Sequence, residues 1–171
     1  MDLFFVLSGF LITTLLLRER EDKGSLSFKG FYWRRMLRIF PLYYAVLLVY
    51  VVMLGFAKSG SDMSREFFNA LPWYLTYTAN WGPKENTFAH AWSLSVEEQF
   101  YLLWPPLLGL LKLHQARAAL MGFLVLVVAL DLGIWGPGTR DLAHKLTPFA
   151  AVAWGAWLAV LLSTREGFGR L

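Results

Sequence analysis

Residues 90–105 read HAWSLSVEEQFYLLWP. This stretch is apolar enough to lie within a bilayer, yet it contains two adjacent carboxylates, Glu97 and Glu98. An ionisable group inside a membrane is energetically expensive and therefore indicates a functional site. A second apolar stretch, at residues 1–13, reads MDLFFVLSGFLIT and carries another carboxylate, Asp2, at its start. The two stretches predict membrane helices that carry chemistry within the bilayer.

The composition supports a membrane setting. Hydrophobic residues make up 57% of the 171-residue chain and charged residues 16%, whereas about a quarter of the residues in an average soluble domain are charged. The apolar runs are continuous rather than alternating, which disfavours a transmembrane barrel. The chain contains no cysteine, which excludes disulfides and thiolate chemistry, and no metal motif is present. We therefore predict an all-α polytopic transmembrane helix bundle that forms one domain over residues 1–171.

Five apolar runs approach the length that crosses a bilayer, which is about 20 residues. The first run is short, so it makes sense only if part of it is missing or lies at the membrane surface. Within that run, Ser8-Gly9 would permit either close helix packing or local unwinding. Between the first two runs, the sequence predicts a basic cytoplasmic loop at residues 18–38. The predicted helices lie near residues 3–17, 39–57, 91–111, 118–135 and 146–163.

The distribution of lysine and arginine predicts the orientation of the chain, because short loops rich in these residues stay in the cytoplasm. Eleven of the 16 lysines and arginines fall in the loop 18–38, the third connection at residues 112–117 and the tail, all on one predicted side. We therefore expect the start of the chain to face outward and its end to face the cytoplasm. The net charge of +4 fits this bias and contact with lipid headgroups better than a nucleic-acid surface.

Three arginines lie just before the second apolar run, where residues 31–41 read FYWRRMLRIFP. If this segment is helical, Arg35 and Arg38 lie three residues apart and Arg34 and Arg38 four apart, so two guanidinium groups can share one face. A guanidinium group binds a phosphate through two parallel hydrogen bonds, and Tyr32 and Trp33 offer rings on which a flat base could stack. The alternative is a juxtamembrane anchor, with arginines on lipid headgroups and aromatic rings in the interface.

The carboxylate pair also has two interpretations. Adjacent residues on a helix point about 100° apart, so at most one of Glu97 and Glu98 can face a given cleft well. A carboxyl group in such a cleft can act as an acid or as a base. Alternatively, the pair belongs to a buried polar network that holds helices together, with Ser93, Ser95, Gln99 and Tyr101 as its other members.

Three phrases, at residues 2–12, 31–41 and 90–105, resemble in order and spacing the acyltransferase-3 family of integral membrane acyltransferases. The resemblance implies transfer of an acyl group, often acetyl, from cytoplasmic acyl-coenzyme A to a hydroxyl of a lipid-linked or cell-surface carbohydrate. It also implies a place in the bacterial inner membrane and no permanently bound cofactor, since acyl-coenzyme A is a co-substrate.

The resemblance assigns roles to the motif residues. The family motif thought to engage the coenzyme A donor matches this sequence at Arg35 and Arg38, with Arg34 beside them. Glu97 matches the polar inner-helix motif of the active cavity, and Asp2 matches the acidic residue that opens the first phrase and would support the site.

The sequence departs from the family pattern in two places. The family carries an earlier helix with an arginine and the histidine that would serve as catalytic base, and no phrase of this chain matches that helix. The phrases at residues 146–149 and 155–159 resemble a later helix but lack the arginine and aspartate expected between them. These departures predict a fragment that is inactive alone. A transporter-like subunit or a non-catalytic membrane scaffold are the rival predictions.

Overall fold

The computed structural model describes residues 2–83, 87–136 and 138–163, and the regular elements in these ranges are all helical. The predicted all-α class is therefore confirmed. A π-helical segment, Met53–Ala57, continues directly from the second helix. The α-helices are α1 (Asp2–Lys23), α2 (Phe28–Val52), α3 (Asp62–Leu75), α4 (Ala91–Leu110), α5 (Leu113–Asp131) and α6 (Thr139–Leu162).

Three helical stretches within the described ranges are long and apolar enough to cross a membrane, namely Phe28–Phe56, Leu113–Asp131 and Thr139–Leu162. The predicted number of about five is not confirmed. The helices α1 and α4 fall outside this set for different reasons. The charged residues of α1, Asp2 and those at 18–23, leave an uncharged stretch that is too short to cross a membrane. In α4, the two glutamates and Gln99 lower the mean hydropathy of the helix.

The predicted basic loop at residues 18–38 is mostly helical, and this boundary was wrong. The first helix continues to Lys23, where the Lys23 ammonium lies 3.0 Å from the Glu19 carboxylate one turn earlier. Gly24, with a φ of 69°, follows the helix in the left-handed conformation that commonly ends helices. The second helix begins at Phe28. Arginine, lysine and glutamate are good helix formers, so the helices extend into the polar segment beyond the apolar runs.

One of the other predicted helices has the correct bounds, and the rest begin too late in the prediction. The fourth helix matches its predicted range of 91–111 to within one residue. The second, fifth and sixth helices begin earlier than the predicted 39, 118 and 146, because their first turns are polar or mixed and lie outside the apolar runs.

The third helix lies in a region predicted only as an outer aromatic loop. Its start is capped by the Ser61 hydroxyl, which accepts a hydrogen bond from the Ser64 amide at 3.2 Å. The Ser64 hydroxyl donates to the Leu54 carbonyl at 3.1 Å, which satisfies an acceptor of the π-helical segment. The buried residues of α3 recur at helical spacing, at Ser64, Phe67, Ala70 and Tyr74.

The chain divides into two compact units. One contains residues 1–26 and 97–171, and its core forms where α6 packs against α1 and α5. The other contains residues 27–96, and its core is an aromatic cluster on α2, α3 and the segment that follows α3. A single membrane domain over residues 1–171 stays a prediction.

Candidate active site

One face of α4 carries the polar groups of the candidate site. Glu97, Tyr101, Trp104 and Leu108 follow one another at intervals of four, three and four residues, and this spacing places them on a single helix face. All four are buried, and Glu97 is only 4% exposed. Glu98 points to a different face and is half-buried. Of the two carboxylates, Glu97 is therefore the one that belongs to this face.

This face of α4 contacts α1 through hydrogen bonds. The Trp104 indole Nε1 donates to the Thr13 hydroxyl at 2.9 Å, and both side chains are buried. One turn earlier, the Tyr101 and Ser8 hydroxyls are hydrogen-bonded to each other. Polar side chains commonly bridge helices within membranes, where no water competes for the bond.

A third bond joins the two helices near their ends. Arg20 Nη1 donates to the Leu108 carbonyl at 3.2 Å, which satisfies one of the acceptors that the last turn of α4 leaves open. Along α1 the partners are Ser8, Thr13 and Arg20. Along α4 they are Tyr101, Trp104 and Leu108, in the same order. The two helices therefore run in parallel.

The parallel arrangement brings two predicted site residues toward the same end of this unit. Glu97 precedes Tyr101 by four residues, or about 6 Å along α4, and Asp2 precedes Ser8 by six residues, or about 9 Å along α1. Both carboxylates therefore precede the first of these three interhelical bonds, toward the end at which α1 and α4 begin. Asp2 is exposed in the first turn of α1, where the helix dipole favours a negative charge.

The buried carboxylate and the hydroxyl groups beside it can hold and orient a polar substrate group. A carboxylate accepts hydrogen bonds, whereas the serine and tyrosine hydroxyls can both donate and accept them. In a buried setting these bonds are stronger than in water. The assignment of Glu97 and Asp2 as site residues stays a prediction.

The three predicted donor-binding arginines lie in the other unit, in the first turns of α2. The segment is helical, so the required spacing between Arg34, Arg35 and Arg38 is present. Arg34 and Arg38 are exposed and Arg35 is half-buried. The Trp33 ring is 62% exposed and therefore accessible to a flat ligand. This surface could bind an anion with an attached base, and its role stays a prediction.

Sequence reasoning missed two residues of the contact between α1 and α4. Thr13 and Trp104 were not singled out, although Trp104 lies seven residues after Glu97 and this helical spacing could have indicated it. The sequence placed Ser93 and Ser95 in a polar network between helices. Ser93 donates to the His90 carbonyl at 2.9 Å. Ser95 donates to the Ala91 carbonyl at 2.7 Å and accepts from the Ala79 amide at 3.3 Å, so it links α4 to the segment that follows α3. Within the described ranges, no group of three or more histidine, aspartate or glutamate side chains could hold a metal ion.

Comparison with known proteins identifies relatives of the chain. The model of the acyltransferase-3 family, described as an acyltransferase domain, matches residues 1–164. The peptidoglycan O-acetyltransferase OatA of Listeria monocytogenes is 32% identical over 145 residues, which cover 78% of this chain and 23% of OatA. A protein of Staphylococcus aureus strain COL, named "Putative O-acetyltransferase", is 33% identical over 143 residues, which cover 77% of this chain and 24% of the relative.

The chain thus spans about a quarter of the length of these relatives. No solved structure matches it. The family match and the three apolar helices together indicate an integral membrane protein. The predicted resemblance is confirmed, because the family model covers nearly the whole chain, and the protein belongs to the acyltransferase-3 family.

Proposed function

We propose that this chain forms part of a membrane O-acyltransferase. The enzyme moves an acyl group from acyl-coenzyme A to a hydroxyl of a cell-surface or lipid-linked carbohydrate, and we propose that this group is acetyl. The observation that carries the proposal is the buried Glu97 on the α4 face that is hydrogen-bonded to α1. Family membership and the names of the two O-acetyltransferase relatives support the reaction class.

The reaction places two demands on the site. The acceptor hydroxyl must lose its proton as its oxygen attacks the thioester carbonyl, and the oxyanion of the tetrahedral intermediate must be stabilised before the thiolate leaves. We assign to Glu97 the orientation of polar groups in the cavity and to Asp2 the support of the site from the start of α1. No residue here matches the family's histidine base, so we expect no transfer by the 171-residue chain alone.

The donor site in this proposal is the start of α2. Coenzyme A carries several phosphate oxygens and an adenine ring. Paired guanidinium groups at Arg35 and Arg38, with Arg34 beside them, suit the phosphates. The exposed Trp33 ring offers a stacking surface for the adenine. In the proposed topology this end of α2 faces the cytoplasm of a bacterial cell, where acyl-coenzyme A is found, and the chain starts outside the inner membrane and ends inside.

Binding of acetyl-coenzyme A to the purified chain in detergent tests the donor site. We expect the double substitution Arg35→Gln and Arg38→Gln to weaken binding by about tenfold or more, since each charge-assisted bond contributes about 1.5–3 kcal/mol. Arg65→Gln is the matched control, because Arg65 is also exposed but lies on α3. Equal binding by both variants would refute the donor site and favour the membrane scaffold.

A further inference from the structure

The polar contacts between α1 and α4 form a ladder, defined here as the Ser8–Tyr101 and Thr13–Trp104 hydrogen bonds. Within a bilayer, apolar side chains gain no hydrophobic driving force from packing together, because lipid is as apolar as they are. Directional hydrogen bonds add a constraint on the level of one helix against the other. A slide of one helical turn, about 5.4 Å, would break both bonds of the ladder at once.

Tyr101 occupies a particular place in this ladder. It lies one helical turn after Glu97 on the same face of α4, and its partner Ser8 is the ladder residue of α1 nearest to Asp2. Its ring is buried, 3% exposed, so the hydroxyl cannot exchange its partner for bulk water. Of the three bonds between α1 and α4, the Ser8–Tyr101 bond is thus the nearest to the two carboxylates along both helices.

We infer that Tyr101 is a positioning residue of the acyltransferase, which acts through its hydrogen bond to Ser8 and fixes the start of α1, with Asp2, relative to Glu97 of α4. This inference rests on the proposed function for its catalytic meaning, whereas the ladder itself rests on the geometry alone. Displacement of a catalytic group by about 1 Å can lower a rate about a hundredfold. A shift of one residue along the helix axis is about 1.5 Å, which is large enough to matter.

The test has two arms. In the first, the thermal unfolding midpoint of the chain is measured in detergent for Ser8→Ala, Tyr101→Phe and the double variant. Each substitution removes one hydroxyl, so a shared bond predicts that the double variant unfolds no earlier than the less stable single variant. Additive losses in the double variant would show that the two hydroxyls do not act together and would overturn the ladder.

In the second arm, acyl transfer is measured in membranes that contain the full-length protein carrying this sequence. We expect Tyr101→Phe to lower kcat about tenfold or more while the KM values for donor and acceptor change by less than about twofold, because ground-state binding is retained. Ser8→Ala should behave alike, whereas Ser8→Thr, which keeps the hydroxyl, should restore most of the turnover. Tyr44→Phe, which removes a hydroxyl in the other unit, is the control.

The outcomes test the hydrogen-bond ladder and the positioning role of Tyr101 separately. Coupled hydroxyls with an unchanged kcat in Tyr101→Phe would overturn the positioning role, since the ladder would then serve only helix packing. A rise in KM at constant kcat would also overturn it, because Tyr101 would then contribute to binding. If the unsubstituted protein transfers no acyl group, the proposed function and the positioning role fail together, whereas the unfolding arm still decides the ladder.

Discussion

Gly9 of α1 lies directly against the backbone carbonyl of Val152 in α6, so closely that a Cβ atom at this position would overlap the carbonyl oxygen. The relationship is reciprocal, because a Cβ atom on Gly155 would overlap the carbonyl of Val6. Two helices therefore meet backbone to backbone at this point. Small residues allow this approach in membranes, where van der Waals packing is a main force between helices. Of the two predictions for Ser8-Gly9, close packing is confirmed.

Gly9→Ala tests this contact. The new methyl group meets the backbone carbonyl of Val152 rather than the far end of a flexible side chain, so α1 and α6 must separate. We expect a loss of about 1–3 kcal/mol in the free energy of unfolding, which is the usual range for an overpacked core. The measurement is the thermal unfolding midpoint in detergent, followed by intrinsic tryptophan fluorescence.

Gly122→Ala is the control for this experiment. Gly122 also lies within a helix, α5, but a Cβ atom there would have no neighbour within 4 Å. Alanine is the better helix former by about 0.5–1 kcal/mol, so this variant should be as stable as the original or more so. Equal destabilisation by Gly9→Ala and Gly122→Ala would contradict the close approach of α1 and α6.

Sequence reasoning predicted the fold class because a continuous apolar run reveals a membrane helix directly. It placed the bounds of α1 and α2 poorly, because a run marks the part of a helix that can lie in lipid, whereas Arg18–Lys23 and the turns from Phe28 are helical without being apolar. It missed α3 because this helix is amphipathic, so its polar residues and Pro72 alternate with the apolar ones and no continuous apolar run marks it.

Some features of the candidate site could also be predicted from the sequence, and others could not. The spacing of Arg35 and Arg38 is local, so it could be predicted from the sequence once a helix was assumed. The bond between Thr13 and Trp104 joins residues 91 positions apart and depends on which helices become neighbours. No local pattern specifies that pairing, and the Ser8–Tyr101 bond, which spans 93 positions, was out of reach for the same reason.

Two adjacent tyrosines of α2 donate to the end of α3. The Tyr43 hydroxyl donates to the Tyr74 carbonyl and the Tyr44 hydroxyl to the Leu75 carbonyl, each at 2.9 Å. The first bond is buried and the second is exposed. Because a buried acceptor that loses its donor is not rescued by water, Tyr43→Phe should lower the free energy of unfolding by about 1–3 kcal/mol.

Tyr44→Phe is the matched comparison for Tyr43→Phe, because it removes the same oxygen at an exposed bond. We expect it to lower the free energy of unfolding by less than about 1 kcal/mol, since solvent or lipid headgroups can replace the lost donor. Thermal unfolding in detergent measures both. A larger loss in Tyr44→Phe would mean that burial does not decide the strength of these two bonds.

Ser61 caps the start of α3, and its hydroxyl both accepts from the Ser64 amide and donates to the Lys58 carbonyl at 2.8 Å. Ser61→Ala removes both bonds and should lower the stability of this unit by about 1 kcal/mol, the usual effect of losing a serine cap. Ser59→Ala, two residues earlier at an exposed site, should have almost no effect. Limited proteolysis between α2 and α3 reports the difference, and equal cleavage of both variants would argue against the cap.

At the end of α3, a tyrosine adopts a backbone conformation that is usually found for glycine. Tyr77 has a φ of 53°, in the left-handed region, and its amide donates to the Tyr74 carbonyl. The next amide, of Thr78, donates to the Trp73 carbonyl at 2.9 Å. These bonds define a Schellman motif, in which the position of Tyr77 is usually glycine.

Stacking of the Tyr77 ring stabilises this conformation. Its centroid lies 5.1 Å from that of Phe40, with the rings stacked, and 4.3 Å from that of Tyr43. Such pairs contribute about 0.5–1.5 kcal/mol each beyond the burial of their surface. The left-handed conformation costs a residue with a Cβ atom about 1–2 kcal/mol. The ring contacts therefore offset the strain.

Substitution of Tyr77 should reverse the usual order of alanine and glycine. Both Tyr77→Ala and Tyr77→Gly lose the ring, but only glycine relieves the backbone, so the alanine variant should be less stable by about 1 kcal/mol. At Asn69, an exposed position inside α3, the order should be the ordinary one, with glycine less stable than alanine by a similar amount. Thermal unfolding of the four variants measures both differences. An alanine variant at Tyr77 that is more stable than the glycine variant would show that this residue leaves the left-handed conformation once its ring is removed.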